Sequence, residues 1–400
     1  MRQNCAIFII GVTMKTLEKE LDKEGIQPIQ LRVLERGQGA RISVNGKKFI
    51  NLSSNNYLNL INHPHVKEAT KKIIDEFGVG SGAARSLTGT MALHEELEEK
   101  LAAFKRKEAA LLFPTGCLAN QGTIEALMNK GDIIFSDELN HASIIDGCRL
   151  SRATINIFPH KNMSDLENLL EENKNIHCRK LIVTDGVFSM NGDIAFLPKI
   201  VELGKKYGAI TMVDDAHALG VLGKHGHGTV EYYDLEDKID IEMGTLSKAL
   251  GALGGFIAGS HRLRDFLFYK ARPILFSTSL PPPIAAAAIT SLKILEKNSG
   301  ILKKLWDKVK YFKNGLNSLG FDILGSKTPI IPILIGKDKD ALRMSQRLFE
   351  VGIIAPAIVY PTVPEDRSRI RVIITAAHSV ADLDFCLGVL EKVGKGMRLI

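Results

Sequence analysis

The stretch Ala209-Ile210-Thr211-Met212-Val213-Asp214-Asp215-Ala216-His217 is an apolar run that stops abruptly at two acids and a histidine. A helical pattern at 198–207, closed by Gly208, leads into it. Five residues of nearly unbroken apolar character after a helix stop read as a strand buried on both faces. The same pattern recurs on either side. Strands are predicted at 109–113, 132–135, 181–184 and 239–243, with a helix at 117–128. Strand–helix alternation of this kind predicts an α/β fold, a largely parallel sheet with helices on both faces. Further on, Pro281-Pro282-Pro283 breaks the pattern, since consecutive prolines cannot continue a helix or donate to a ladder. A long helical stretch at 284–319 follows, and strand candidates at 330–335 and 370–375 then bracket a helix at 339–351. These elements suggest a smaller α+β unit. The expected organisation is an N-terminal segment 1–55, a large domain 56–290 and a small domain 291–400.

In open α/β folds the chemistry gathers at the carboxyl ends of strands. Asp214, Asp215 and His217 leave a buried strand, which is costly unless they are paired. They could also cap the next helix or ligate a metal, although no other His/Glu cluster shows ligand spacing. The run Gly244-Thr245-Leu246-Ser247-Lys248-Ala249-Leu250-Gly251 follows the strand at 239–243. Lys248, in a small-residue loop at a strand end, is a candidate nucleophile toward a carbonyl. A solvated lysine is the ordinary alternative. Asp214 and Lys248 lie 34 residues apart (248 − 214), close to one βαβ unit of about 30 residues, so both can enter one cleft. Pyridoxal phosphate (PLP) chemistry needs this pair: a lysine that bonds the cofactor and an acid that keeps the pyridine nitrogen protonated. Phe113-Pro114-Thr115-Gly116-Cys117 joins a strand to a helix and suits a phosphate, or is a plain β–α turn. Asn140-His141-Ala142-Ser143 and Asp185-Gly186-Val187-Phe188-Ser189-Met190 leave two more strands on the same edge.

Composition narrows the class. The chain has 400 residues, 45% hydrophobic and 24% charged, ordinary for a globular protein and long enough for two domains. No stretch reaches the roughly 18 apolar residues of a membrane span. The apolar run at 6–11 lacks the flanks and cleavage site of a secretory signal, so Met14 is the expected true start and 1–13 an extension. Five cysteines without a CxxC argue against a disulfide framework or zinc site and fit a cytoplasmic protein. A net charge of +7 serves solubility and mildly favours an acidic ligand such as CoA. No arginine-rich run or nucleic-acid module occurs.

Taken together, these stretches resemble the α-oxoamine synthase family of fold-type-I PLP enzymes. The similarity is carried by Ser54-Asn55-Asn56-Tyr57-Leu58, Leu139-Asn140-His141-Ala142-Ser143-Ile144, Thr184-Asp185-Gly186-Val187-Phe188-Ser189-Met190, Val213-Asp214-Asp215-Ala216-His217, Gly244-Thr245-Leu246-Ser247-Lys248, Pro361-Thr362-Val363-Pro364 and Arg369-Ile370-Arg371. It runs from about residue 16 to the C-terminus. The resemblance implies an aspartate-aminotransferase-like fold, with PLP held covalently by Lys248, which later moves a proton. Asp214 would pair with the ring nitrogen. His217 would bond the ring oxygen with Ser189 in support, and His141 would stack on the ring. Gly116, Cys117 and Thr245 would bind the phosphate, and Ser277 and Thr278 would reach the phosphate of a partner subunit in a homodimer. Arg371 would clamp the amino-acid carboxylate, with Asn55 and Thr362 nearby. Substrates would be glycine or alanine and an acyl-CoA.

Two departures bear on the acyl group. Residues 25–30, Gly-Ile-Gln-Pro-Ile-Gln, lack the arginine that family members acting on pimeloyl-CoA commonly carry there, and Arg32 is the next one. Val359 stands where those members commonly have arginine. Both favour glycine with acetyl-CoA (glycine C-acetyltransferase chemistry, used in threonine degradation) over alanine with pimeloyl-CoA in biotin synthesis. No feature favours a long-chain acyl group or succinyl-CoA. Asn59 replaces a glycine usual in the family, which puts the turn there in question.

Overall fold

The computed structural model describes residues 31–297 and 299–400. The readings at 1–13, 16–21 and 25–30 lie outside them. Thirteen described strands are numbered in chain order. β3 (Ala109–Phe113), β4 (Ile133–Asp137), β5 (Thr154–Phe158), β6 (Lys180–Asp185), β7 (Ile210–Asp214), β8 (Ile241–Thr245) and β9 (Gly255–Gly259) form a seven-stranded sheet in the order β3-β9-β8-β7-β6-β4-β5. Only β9 runs against its neighbours; the pairs from β8 across to β5 are parallel.

Both faces are covered, as the apolar runs require. Met212, Leu181, Val183 and Ile241 pack on one side with Ala119, Ile124, Ile144 and Leu267 from helices Gly116–Leu127, Ala142–Ser151 and His261–Lys270. Val213, Ile182 and Phe135 pack on the other with Leu166, Leu170, Leu197 and Ile200. Alternate residues of one strand thus serve two cores, and each large side chain fully buried contributes about 1.5–3 kcal/mol.

β1 (Arg41–Val44), β2 (Lys47–Asn51) and β11 (Ile353–Ile354) form one small sheet; β10 (Ile330–Gly336), β12 (Ala357–Ile358) and β13 (Ser368–Ile373) form another. The segment after β2 is pinned to the region of β13, where Ile373 N–H donates to Leu52 O and Ala376 N–H to Tyr57 O, each at 2.7 Å. Those two bonds bring Asn55 beside Arg371.

The stretch 284–319 falls in helices Pro282–Lys297 and Ser299–Ser318, and residue 298 between them lies outside the described residues. Asn59 adopts φ 59°, ψ 32°, the left-handed conformation that asparagine tolerates best after glycine, so the turn keeps its shape without the glycine. Among the described residues no helix is long and apolar enough to cross a membrane.

Candidate active site

β6, β7 and β8 end side by side, with Asp185 in register with Asp214 and Asp214 with Met243. Their carboxyl ends open onto a cavity of about 270 Å³. Eight expected residues line it: Gly116, Cys117, His141, Ser189, Asp214, His217, Thr245 and Lys248.

Asp214 and Asp215 are adjacent in sequence but serve opposite faces. Asp214 Oδ2 accepts from Asn120 Nδ2 at 2.6 Å and Oδ1 from Ala216 N–H at 2.8 Å, which fixes the carboxylate at the cavity. Asp215 points away and pairs with Lys105 Nζ at 2.9 Å; the same amine reaches Glu242 at 2.6 Å. That buried cluster ties helix Ala92–Lys105 to the back of β7 and β8. Asp215 is therefore structural, an assignment that spacing alone leaves open.

His217 is buried, and its Nδ1 lies 2.7 Å from the hydroxyl of Tyr57. Burial raises the Tyr57 pKa far above the ordinary phenol value, against a smaller opposing effect of Arg371, so the hydroxyl keeps its proton. Among the described residues that hydroxyl has no other acceptor, so its proton goes to Nδ1 and the ring carries its own on Nε2. Burial, then Lys248, Arg371 and His141, hold His217 well below the ordinary imidazole range. The ring is thus a neutral donor facing the cavity.

Burial, with Arg371 adding to it and Asp214 and Asp185 opposing, lowers Lys248 to about 8. Asp185 moves the other way, well above the usual carboxylate range, through burial and the Asp214 charge beside it. Its Oδ2 accepts His141 N–H at 3.0 Å, and Asn140 Oδ1 accepts Asp185 N–H at 2.8 Å. His141 Nδ1 meets Ser143 Oγ at 2.7 Å, and Ser143 Oγ accepts from Asn120 at 2.9 Å. One network thus joins His141 to Asp214.

At the other end of the cavity, Thr115 caps helix Gly116–Leu127 by accepting Leu118 N–H. The amides of the first turn, including Gly116 and Cys117, have no intrahelical acceptor. A Cβ on Gly116 would stand 3.0 Å from Thr245 Oγ1 and from Met243 Cε, so only glycine leaves this corner open. A helix N-terminus with free amides and a nearby hydroxyl suits a phosphate. A phosphate corner, a lysine of lowered pKa, a fixed carboxylate and a neutral donor form a set that fits PLP.

The remaining expected residues stand apart from this cavity. Arg371 Nη2 donates to Asn55 Oδ1 at 3.4 Å, and its buried Nε has no partner among the described residues, leaving a donor for an anionic ligand. Thr362 is exposed, two residues into a turn whose amide bonds back to Val359 O, and does not line the cavity. Ser277 and Thr278 border a separate hollow with Arg85 and Pro114. Tyr57, Asn120, Ser143 and Asp185 carry much of the site, yet sequence reasoning assigns them no role. Tyr57, Ser143 and Asp185 stand inside the motifs singled out above, but Asn120 has no signal, being one polar residue inside a predicted helix. The expectation that no second His/Glu cluster has ligand spacing is also corrected: His225, His227 and Glu231 place ligand atoms within 4.8 Å of one another.

The model of the family described as aminotransferase class I and II matches residues 47–390. An 8-amino-7-oxononanoate synthase from Thermoanaerobacter pseudethanolicus is 54% identical over 382 residues, covering 96% of each chain. The structure of serine palmitoyltransferase from S. paucimobilis with a bound PLP–myriocin aldimine superposes with a TM-score of 0.90 at 32% identity, covering 97% of this chain and 98% of that one. An 8-amino-7-oxononanoate synthase from Francisella tularensis superposes at 0.76 with 28% identity, covering 88% and 99%. The chain belongs to the aminotransferase class I and II family and, within it, to the PLP-dependent α-oxoamine synthases, which are acyltransferases.

Proposed function

We propose that the chain condenses L-alanine with pimeloyl-CoA, releasing CoA and CO2, to give 8-amino-7-oxononanoate. The observation that carries this reading is the identity of about half, over almost the whole chain, with a relative named for that reaction. The preference for glycine and acetyl-CoA gives way. It rested on residues 25–30, which lie outside the described residues, and on Val359, whose carbonyl holds the turn to Thr362. None of the relatives cited above carries the name of the glycine reaction. The serine palmitoyltransferase superposes better than the Francisella enzyme but shares far less sequence than the Thermoanaerobacter one, and fold similarity does not choose a substrate.

Each residue has a task in this proposal. Gly116, Cys117 and Thr245 would hold the phosphate, Lys248 the reactive carbon and Asp214 the ring nitrogen. His217 and Ser189 would serve the ring oxygen, with His141 against the ring. When bound, PLP supplies a sink for negative charge at the amino-acid α-carbon. Asp214 keeps a proton on the ring nitrogen, which that sink requires. His217 donates from Nε2 without adding a positive charge. Lys248 Nζ takes the α-proton, a task suited to an amine whose pKa lies near the working pH. Arg371 and Asn55 grip the substrate carboxylate, with Thr362 on the loop beside them, and so fix which bond stands in line for cleavage. The same proposal includes a homodimer in which Ser277 and Thr278 of each copy reach the other copy's phosphate. Exposed Leu87 and Phe276, near the Ala84–Thr278 bridge, offer apolar surface for it. A cytoplasmic location belongs to it too, supported by the free cysteines.

The test is CoA release by PLP-loaded protein with alanine plus pimeloyl-CoA and with glycine plus acetyl-CoA, CO2 being trapped in parallel. Turnover with the first pair and matching CO2 is expected. Turnover confined to the second pair, without CO2, would reinstate the glycine reading.

A further inference from the structure

We infer that the turn after β7 is a binding site for a late first-row divalent cation of the zinc, nickel and cobalt class, held by His225, His227 and Glu231. The sequence there is Gly223-Lys224-His225-Gly226-His227-Gly228-Thr229-Val230-Glu231. The turn wraps around the Glu231 carboxylate. Oε2 accepts the amides of His225 at 3.1 Å and His227 at 3.0 Å. Gly223 has φ 85°, and a Cβ there would stand 2.1 Å from Oε2, so a glycine is required for the backbone to pass this close. The His225 amide is shared with Oε1 at 3.2 Å, and together these amides orient the carboxylate so that Oε1 also faces the two imidazoles.

The imidazoles complete a three-donor set. His225 Nδ1 is 2.5 Å from Oε1 and His227 Nδ1 is 3.8 Å from it, with the ring centroids 5.4 Å apart. His227 Nδ1 is buried and has no hydrogen-bond partner among the described residues. A buried nitrogen left unpaired is destabilising, and a cation beside Oε1 is the partner its position fits. Metal–ligand distances of about 2.0–2.2 Å place neighbouring donors roughly 3–3.5 Å apart. His227 and Oε1 are already close to that spacing. The His225 side chain is 50% exposed and free to swing out from its hydrogen bond by the required distance.

Access agrees with the geometry. Phe104 packs edge-on against His227 at 4.5 Å, and Lys105 Nζ donates to the His227 carbonyl, so the ring is held from behind. A hollow of about 520 Å³ opens to solvent beside His225 and Glu231; Trp306 and Asp234 line it, as do Lys224 and the Arg106–Glu236 ion pair. Two imidazoles and one carboxylate favour zinc, nickel, copper or cobalt over the oxygen-seeking magnesium and calcium. None of the three residues faces the catalytic cavity. The cation is therefore structural, bound behind the Lys105–Asp215 pair.

Trp306 is the only tryptophan in the chain and lines the same hollow, so it reports on the site. Tag-free holoenzyme without excess PLP is titrated with Co2+ while Trp306 emission is followed. Saturable quenching at one cation per chain is expected, reversed by Zn2+, which binds without quenching. His227→Gln and His225→Asn should each weaken binding by about tenfold or more, since even second-shell changes cost that much. Zn2+ should raise the unfolding midpoint of the unaltered protein and not that of the variants. The bound-PLP absorbance of each variant shows that it has folded. Quenching that fails to saturate by about 1 mM, a binding free energy of only about −4 kcal/mol, would overturn the site. So would quenching that persists at full strength in both variants.

Discussion

Lys248 sits where its charge is expensive, and its proposed role as the residue that bonds PLP makes that fact measurable. Burial, aided by Arg371, lowers its pKa to about 8, although Asp214 and Asp185 pull it back up. The neutral amine is the form that attacks an aldehyde, and its share grows as pH rises through the pKa. The rate at which apoprotein takes up PLP, read from visible absorbance, should therefore climb between about pH 7 and 9 with a midpoint near 8; an ordinary lysine would give a midpoint near 10.4. A rate still climbing linearly above pH 9 would refute the lowered value. Tyr57 offers a second test at this scale. Tyr57→Phe leaves His217 Nδ1 buried without a donor, a loss of about 1–3 kcal/mol, and should lower kcat/KM by roughly 5- to 150-fold. Unchanged kcat/KM would show that the bond does not position the ring. The two residues also mark what sequence could disclose. Lys248, Asp214 and His217 were legible because strand ends about one βαβ unit apart converge. Tyr57 was not, because its partner lies 160 residues away and only tertiary packing joins them.

Strands and loops were legible at their centres and less so at their ends. β7 and β8 run on to Asp214 and Thr245, past the last apolar residues, because a ladder continues wherever backbone groups pair, whatever the side chain. β5 went unread because it is the sheet's edge, with a mixed burial pattern rather than an apolar run. β9 is five residues that begin and end with glycine and gives no periodicity to read. Yet β9 shapes the phosphate corner. A Cβ on Gly255 would lie 2.6 Å from both Gly116 Cα and Thr115 O, which are backbone atoms that cannot swing aside. Gly255→Ala must therefore push the 115–117 turn out of place, at a cost of about 1–3 kcal/mol. The expected result is PLP affinity reduced about tenfold, with Lys248 still able to bond the cofactor at saturating concentration. Wild-type PLP affinity would mean that the turn does not hold the phosphate.

Across the whole molecule, the cavity at the ends of β6–β8 comes from the middle of the chain, whereas Asn55 and Arg371, the proposed clamp, come from either side of it and meet because the segment after β2 is pinned to the region of β13. Arg371 was legible from a motif. Its influence on the main cavity was not, since that depends on a distance no spacing reveals. Its guanidinium lowers both Lys248 and His217, so in the proposed function the charge that grips the substrate would also tune the amine that takes the α-proton. Arg371→Ala should have two effects of separate origin. Losing a charged hydrogen bond to the amino-acid carboxylate, about 1.5–3 kcal/mol, should raise the amino-acid KM by roughly 10- to 150-fold, with a smaller change in kcat. Removing a nearby positive charge favours the ammonium form of Lys248, so the midpoint of the PLP-loading profile should move above about 8. Arg371→Lys, which keeps the charge but not the planar fork, should raise KM while leaving that midpoint in place. If the alanine variant raises KM with no shift in the loading profile, the clamp stands and the electrostatic link between the two halves of the site falls.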